Sequence, residues 1–341
     1  IKKNWIMTKR FYFIASVILI FKSCSFENKQ MDNIYGYALG TSYFIEYEKK
    51  QFNDKIKLRK DIDSIFNVIN MSISNYEKKS IVNKVNTHNN NVKLDYHFIE
   101  IFLKSKEIWK STKGYFDPTI GNIVNAYGFG VKKGIKSISN FQKDSLKDIT
   151  GFEKVYLNSD NKLVKKNKNI FLDFNAIGKG YTVDQIDKYF KSLGYKNYLI
   201  EIGGEIIARG KNIKTNKIWN IAIENPKLSK NRSVISSTFL NNSAIATSGN
   251  YRKNRIDSIT GERYTHLIDP KRGEPIKSKI LSVSVIAKDC TTADAFATAL
   301  MVMPLNLGYK IINNFNDLNA YWIVAEKDSI KEVFSNNWNK N

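Results

Sequence analysis

The chain has 341 residues, 42% hydrophobic and 25% charged, which is the ordinary balance of a globular protein with a large buried core. Its formal charge of +22 would by itself suit nucleic acid, anionic lipid or phosphorylated ligands. Lysine is spread along the chain, however, and no arginine-rich helix, zinc-knuckle spacing or aromatic–basic ribonucleoprotein motif concentrates the charge. Nucleic acid is therefore not an expected partner.

The N-terminal segment has the features of a bacterial export signal. Lys9 and Arg10 precede an apolar run over residues 11–21. That run matches the length of a signal-peptide core and is shorter than the roughly 20 residues of a membrane-spanning helix. The sequence therefore predicts an exported protein.

Ser23 and Cys24 follow the apolar run in an arrangement that resembles a lipoprotein cleavage box. The prediction is a signal peptide over 1–23, a lipidated Cys24 with a polar tether over 24–33, and one catalytic domain over 34–341. Such a protein would be a membrane-anchored lipoprotein that faces the periplasm of a Gram-negative-type bacterium. The alternative is a simple signal peptide followed by an incidental cysteine.

The apolar pattern after the tether predicts an α+β fold, with mixed, largely antiparallel sheets and packed helices. Strict βαβ alternation is absent, and turn pairs such as Asn241-Asn242 indicate hairpins. The basic stretch 132–148 has no clear period and is interpreted as a surface excursion. Helices are predicted over 58–70, 96–111, 181–193, 292–302 and 305–313. Strands are predicted over 41–48, 154–157, 170–174, 198–202, 205–209, 219–224, 234–240, 244–247, 281–287, 321–325 and 331–334.

A glycine-rich stretch over residues 172–180 runs from a predicted strand into a predicted helix. Such a loop exposes backbone N–H groups and places an anion at the positive end of the helix, so it suits a phosphate. Lys179 adds a full positive charge. The spacing matches neither the P-loop nor the dinucleotide GxGxxG pattern. A tight turn with a solvated lysine is therefore the alternative.

Asp294 and Thr298 are four residues apart in a predicted helix and share one face. Carboxylate and hydroxyl oxygens, with a backbone carbonyl from elsewhere, are hard ligands that suit Mg²⁺, which usually completes its shell with substrate phosphates. The alternative is that Asp294 stabilises the helix N-terminus while Thr298 bonds back to the Asp294 carbonyl.

His266 is one of three histidines and lies between a strand and a turn among polar neighbours. Imidazole takes up protons near neutral pH, so His266 is a candidate general base, with a structural histidine as the alternative. The stretch 247–252 contains a Ser-Gly pair and is interpreted as either an anion site or a turn. No G-x-S-x-G elbow occurs, which disfavours a serine nucleophile.

Eight short blocks, taken in chain order, resemble the ApbE family of FAD:protein FMN transferases. They lie at 40–43, 116–121, 127–130, 173–180, 203–205, 247–249, 266–270 and 293–298. No block is specific alone, so the resemblance depends on their order, and it covers nearly all of the chain after the tether. The fold that it implies is ApbE-like and T-fold-like.

The resemblance implies that FAD lies in a cleft and that Mg²⁺ bridges its diphosphate. The metal ligands would be the main-chain oxygen of Ala176 and the side chains of Asp294 and Thr298. A threonine or serine hydroxyl of a target protein would attack the FMN-side phosphorus, AMP would leave, and His266 matches the base proposed in the family. The family's FAD-contacting positions match Leu39, Tyr115, Phe116, Asp117, Asp173, Lys179 and Ile268.

The chain departs from the usual family pattern at five positions. Tyr127 replaces a Trp, Leu39 a Met and Asn250 an Asp, while Asn175 and Gly178 stand where Gly and Ala are common. The changes at 39 and 127 bear on contacts around the flavin ring and roughly preserve size and apolar character. The residues implied in metal, phosphate and proton chemistry are retained.

Three functions follow from the resemblance. The first is FMN transfer to an acceptor flavoprotein, with flavin-carrying subunits of membrane redox complexes as natural targets and an acceptor motif of the Asp-x-x-Ser/Thr-Gly-Ala-Thr type. The second uses water instead of the acceptor hydroxyl, which gives an FAD pyrophosphatase. The third is a non-catalytic flavin-binding lipoprotein, in which Asp294, Thr298 and His266 would be free to change. Their presence favours an enzyme.

Overall fold

The computed structural model describes residues 30–50, 54–87, 92–132, 134–135, 138–226, 233–250, 254–256, 263–327 and 329–338. The predicted signal peptide and Cys24 lie outside the described residues. Residues 31–33, which the sequence assigns to the tether, instead open the first strand, because that strand pairs with its neighbour along its whole length. No described helix combines the length and the apolar character that crossing a bilayer requires.

Helices and strands alternate irregularly along the described chain. The helices are α1 (Lys55–Ile73), α2 (Ile81–Asn86), α3 (Tyr96–Ser111), α4 (Gly121–Ala126), α5 (Asn140–Asp148), α6 (Gly178–Ser192), α7 (Cys290–Val302) and α8 (Leu305–Ile312). The strands are β1 (Met31–Ala38), β2 (Thr41–Glu48), β3 (Val155–Leu157), β4 (Leu163–Lys165), β5 (Tyr198–Ile202), β6 (Glu205–Arg209), β7 (Trp219–Glu224), β8 (Val234–Leu240), β9 (Ser243–Gly249), β10 (Asn254–Ile256), β11 (Arg263–Thr265), β12 (Ile268–Asp269), β13 (Glu274–Pro275), β14 (Ile280–Ala287), β15 (Asn319–Ala325) and β16 (Ile330–Phe334).

The central element is an eight-stranded sheet in the order β1-β2-β5-β6-β9-β14-β15-β16. Every neighbouring pair in it is antiparallel. Two-stranded ribbons form from β3–β4, β7–β8, β10–β11 and β12–β13. The predicted α+β class, with largely antiparallel sheets and packed helices, is confirmed.

The large sheet is covered on both faces, and β15 shows how. Ala320 and Trp322 pack into the cluster that contains α7, whereas Tyr321 and Ile323 pack with the β7–β8 hairpin on the other face. All four side chains are buried. A strand covered on both faces needs apolar residues at consecutive positions, which is why this part of the sequence does not alternate.

Two predicted elements differ from the structure. The apolar run 170–174 is not a strand; only an isolated bridge joins Phe171 to Ile120, because side chains bond the backbone of this segment. The described part of the stretch 132–148 lies at the surface as predicted, but it contains the helix α5, which has no buried residue and was not predicted. Its start is stabilised by a capping box between Ser139 and Gln142.

Candidate functional site

The site is built where α6 and α7 cross at Gly180. A Cβ added there would lie 2.3 Å from the carbonyl oxygen of Cys290 and 2.8 Å from the Cβ of Asp294. The Gly180 N–H donates to Asp294 Oδ2 at 3.0 Å. Only glycine permits this close approach, and the contact brings Asp294 to the first turn of α6.

The register of the two helices is held by Asp184 of α6, whose carboxylate accepts the first backbone N–H groups of α7. The distances are 2.8 Å to the Cys290 nitrogen and 2.7 Å to the Thr291 nitrogen. Burial raises the pKa of Asp184 to about 7, and the charge of Asp289 adds to this, while the hydrogen bonds oppose it. Asp289 itself caps α7. Asp184 and Asp289 thus bond the first N–H groups of α7, and the Asp294 side chain bonds the first turn of α6 instead of the start of its own helix.

Lys179, Asp294 and Glu205 form a charged cluster beside this crossing. Lys179 Nζ lies 2.6 Å from Glu205 Oε1 and 4.0 Å from Asp294 Oδ1. Both carboxylate side chains are 4% exposed, against 32% for the lysine. Burial alone would lower the pKa of Lys179, but the two carboxylates raise it above its usual value. The ammonium is therefore engaged in ion pairs, which differs from the alternative of a solvated lysine.

The balance of the cluster is two carboxylates against one ammonium. Burial raises the pKa of Asp294 even though Lys179 and the Gly180 N–H act in the opposite direction. The positive charge of Lys179 and the Gly180 N–H thus offset only part of the cost of burying the Asp294 carboxylate. A second cation nearby would stabilise its charged form.

Thr298 marks the open side of α7, because it is the one residue of that helix that is not buried. Its Oγ1 lies 3.3 Å from Ser248 Oγ. Ser248 belongs to β9, so the predicted Ser-Gly turn is in fact the end of a strand. The hydroxyl pair therefore lies between the large sheet and α7, on the same helix as Asp294.

Ala176 lies in the turn that leads into α6, before the N-cap Ile177. If the helix began one turn earlier, the Gly180 N–H would bond the Ala176 carbonyl, but that N–H donates to Asp294. Ala176 thus lies just before α6, Asp294 bonds the first turn of α6, and Thr298 lies one turn after Asp294 in α7. The three predicted ligands would offer a carbonyl, a carboxylate and a hydroxyl oxygen. The described residues contain no group of three His, Cys, Asp or Glu side chains suited to a metal. The oxygen set still fits Mg²⁺, which takes few protein ligands and completes its shell with phosphate oxygens and water.

Asp173 lies in the turn before Ala176. Its N–H donates to the Pro118 carbonyl at 2.7 Å, and its Oδ1 accepts the Asn175 N–H at 2.9 Å. Burial raises the pKa of Asp173, partly opposed by hydrogen bonds from Asn175 and Asn75. This turn therefore carries two predicted ligand-binding residues in a defined conformation.

The predicted FAD-contacting residues at 115–117 have different surroundings. Tyr115 is partly buried, with Lys271 Nζ 5.4 Å from its ring centre. Phe116 is in the core, and both Asp117 oxygens accept protein donors, from Thr119 and from the Phe152 N–H. Burial raises the pKa of Asp117 to about 6, and those hydrogen bonds oppose it. Of the three side chains, Tyr115 is the one available to a ligand.

His266 follows β11 directly and is partly buried, with its ring edge against Phe129 at 6.4 Å between centroids. Ile268 is buried against Ile123 and Tyr127. These contacts place His266 and Ile268 next to α4. Neither residue belongs to α6 or α7, the two helices that carry Lys179 and Asp294. Leu39 occupies the β1–β2 turn with a φ of +52°. Its side chain packs against the hydrophobic cluster that contains Tyr43 of β2 and Phe66 of α1.

Several residues that build the site carry no local signal. The hydrogen-bond partners of Asn86 and Asp184 lie 86 and 106 residues away along the chain. Asn75 and Ser248 also appear ordinary in sequence, whereas Glu205 falls in the glycine-rich block at 203–205. Contacts of such separation are visible only in the folded chain.

A partly exposed ammonium beside a buried carboxylate, with the Thr298 hydroxyl one turn further along the same helix, is an arrangement typical of proteins that bind phosphorylated ligands. The family within that class is settled by comparison, because the ApbE family model matches residues 39–322. The chain belongs to the ApbE family, which confirms the resemblance inferred from the order of the motifs.

Similar proteins cover nearly the same length. The FAD:protein FMN transferase of Vibrio cholerae is 32% identical over 340 residues, which is 98% of each chain. That of Haemophilus influenzae is 31% identical over 319 residues, 91% of each chain. The structure of the flavin transferase ApbE from Vibrio cholerae matches with a TM-score of 0.81 and 32% identity, over 90% of this chain and 98% of that one. The apo flavinyl transferase ApbE of Pseudomonas stutzeri matches with a TM-score of 0.79 and 26% identity, over 90% and 95%.

Proposed function

We propose that this protein transfers the FMN moiety of FAD to a threonine or serine hydroxyl of an acceptor protein in the presence of Mg²⁺. The observation that carries the proposal is the cluster at the α6–α7 crossing, where Lys179, Asp294 and Glu205 meet. Relatives that match almost the whole chain are named FAD:protein FMN transferases. A cluster with excess negative charge suits a divalent cation, and the cation in turn suits a diphosphate.

The residues that would hold the metal are Ala176 through its carbonyl, Asp294 through its carboxylate and Thr298 through its hydroxyl. When bound, Mg²⁺ supplies charge neutralisation for the diphosphate oxygens. Lys179, whose Nζ lies 4.0 Å from Asp294 Oδ1, would add a positive charge from the protein beside the metal. The protein thus contributes alignment and electrostatics, which is what phosphoryl transfer mainly requires.

In the transfer step, the acceptor hydroxyl oxygen forms a bond to the FMN-side phosphorus of FAD. The bond from that phosphorus to the bridging oxygen breaks, and its electron pair leaves with AMP. His266 is positioned by β11 and Phe129 and takes the hydroxyl proton as general base. Atoms balance, because the acceptor gains FMN through a phosphoester bond and AMP keeps the bridging oxygen.

The test incubates the purified protein with FAD, Mg²⁺ and an acceptor domain that carries an Asp-x-x-Ser/Thr-Gly-Ala-Thr-type motif. We expect flavin fluorescence that stays with the acceptor on a denaturing gel. An acceptor with alanine at the modified position is the matched control and should remain dark. Release of free FMN without labelling would instead identify a pyrophosphatase, and binding without any turnover a non-catalytic flavoprotein.

Asp294→Asn tests the metal site within the same assay. The amide keeps an oxygen that can accept the Gly180 N–H but removes the negative charge, so the fold should survive while Mg²⁺-dependent transfer falls by about 100-fold or more. Asp294→Ala should abolish transfer. Wild-type rates in either variant at limiting Mg²⁺ would rule out Asp294 as a metal ligand.

The acceptors we propose are flavin-carrying subunits of membrane redox complexes that face the same compartment. Cys24 would carry the lipid that anchors the protein to the membrane on its periplasmic face. Metabolic labelling with palmitate should mark the wild-type protein and leave Cys24→Ser unlabelled in the soluble fraction. Equal labelling of both proteins would exclude Cys24 as the attachment site.

A further inference from the structure

Two buried asparagine side chains bond the backbone of a single residue, Leu172. Asn86 Oδ1 accepts the Leu172 N–H at 2.8 Å, and Asn86 Nδ2 donates to the Leu172 carbonyl at 2.9 Å. Asn75 Nδ2 donates to the same carbonyl at 3.1 Å, and the two side chains bond each other at 3.1 Å. The pair therefore bonds Leu172 as a neighbouring strand would, although no strand is present there.

The segment is also held from its other side. A Cβ on Gly121 would lie 2.8 Å from the Phe171 carbonyl oxygen, so α4 packs directly on this backbone. Lys165 Nζ donates to the carbonyls of Ile170 at 2.9 Å and Val85 at 3.0 Å, which ties the segment to the end of α2. Residues 170–172 are thus fixed between two helices.

Burying amide side chains is unfavourable unless their polar atoms are hydrogen-bonded, so an apolar pair could fill the same space without that requirement. What the asparagines add is a defined position for the Leu172 backbone. Leu172 directly precedes Asp173 and lies four residues before Ala176, the two residues proposed to contact FAD and the metal. A displacement at Leu172 would therefore pass into both.

We infer that Asn75 and Asn86 are positioning residues, which fix the backbone at Leu172 so that Asp173 and Ala176 are presented to FAD and the divalent cation. Neither asparagine touches the reacting atoms. The inference rests on the proposed function for the identity of the ligands, but the order that it assigns to residues 170–177 is a property of the ligand-free protein.

The test compares Asn86→Leu, which removes both bonds to Leu172 and keeps the number of side-chain heavy atoms, with Val85→Ala. Val85 is buried in the same helix and has no side-chain bond to residue 172, so it controls for loss of stability. Three quantities are measured: amide hydrogen exchange of a peptide over 170–177 without ligand, the FAD dissociation constant by fluorescence, and the half-saturating Mg²⁺ concentration for transfer. Asn86→Ala, which removes the same two bonds with a smaller side chain, is measured in parallel and decides the question if Asn86→Leu does not fold.

We expect Asn86→Leu to speed exchange over 170–177 by about fivefold and to raise the FAD dissociation constant or the half-saturating Mg²⁺ concentration by roughly 10- to 100-fold. Val85→Ala should lower the melting temperature and leave these quantities unchanged. A merely structural asparagine would lower the active fraction, and so the apparent kcat, without moving FAD or Mg²⁺ affinity, and that result would overturn the inference. If wild type binds FAD but transfers nothing, the proposed function fails, and the exchange and FAD measurements still decide the role of the asparagines.

Discussion

Replacing Gly180 by alanine tests the helix crossing that brings Lys179 and Asp294 together. The added Cβ would lie 2.3 Å from the Cys290 carbonyl oxygen, and an ordinary contact begins at 3.4 Å, so the helices must separate by roughly 1 Å. The 3.0 Å bond from the Gly180 N–H to Asp294 would then stretch to roughly 4 Å, which is no longer a hydrogen bond. Overpacking and the lost charged hydrogen bond together should lower the free energy of unfolding by about 3 kcal/mol.

The assays are thermal unfolding and FMN transfer, with Gly178→Ala as the matched control. A Cβ at Gly178 meets only Ile73 Cδ1 at 3.5 Å, an ordinary contact. This control lies in the same first turn of α6 and should be neutral or slightly more stable, since alanine favours helix. For Gly180→Ala we expect a melting temperature lower by roughly 6 °C and transfer reduced by about 100-fold, because a 1 Å misplacement of catalytic groups has an effect of that order.

The reasoning would be refuted by a Gly180→Ala protein that melts and transfers FMN like wild type. Equal losses in Gly178→Ala and Gly180→Ala would also contradict it, because they would show that glycine is needed for the loop conformation and not for the approach of α7.

Two further predictions concern stability and proton transfer. Asp187 accepts bonds from Arg209, Lys191 and Tyr198; burial raises its pKa, but these partners outweigh burial and hold it below its usual value. Its contribution to stability is therefore complete above about pH 4, its unfolded pKa, and is lost as the pH falls through the lower folded value. Asp187→Asn should lower the free energy of unfolding at pH 7 by about 3 kcal/mol. It should also weaken the fall of that free energy between pH 7 and pH 3, measured by urea titration. A fall identical to that of the wild type would contradict this. His266→Ala should slow transfer by about 100- to 10,000-fold with little change in the FAD dissociation constant; loss of FAD binding would show that its role is different.

The sequence predicts most helices and strands of this fold because their apolar periods are clear. The helix over Tyr96–Ser111 has the predicted bounds, with Asp95 as its N-cap. By contrast, α6 begins at Gly178, three residues before the predicted start, since a Gly-Lys-Gly stretch has no apolar period and the N-cap makes no side-chain bond. The local sequence pattern therefore predicts the bounds of a helix when its buried residues recur periodically. It does not predict them when the helix start is set by a glycine-rich loop.

The site was predictable in a different way. The resemblance carried by the order of the motifs points to Lys179 and Asp294. In the structure, Lys179 Nζ lies 4.0 Å from Asp294 Oδ1. The apolar residues at 170–174 predict a strand, which the structure does not contain there. The backbone partners of this segment are the side chains of Asn75 and Asn86, and no local pattern predicts a bond of that kind across more than 80 residues.

The most direct test of the central claim is to quantify, in one reaction, the AMP released from FAD and the FMN bound covalently to the acceptor, with and without Mg²⁺. The account predicts equal amounts of the two products, formed only when the metal and the acceptor hydroxyl are both present. AMP released together with an equal amount of free FMN, on an unlabelled acceptor, would contradict it.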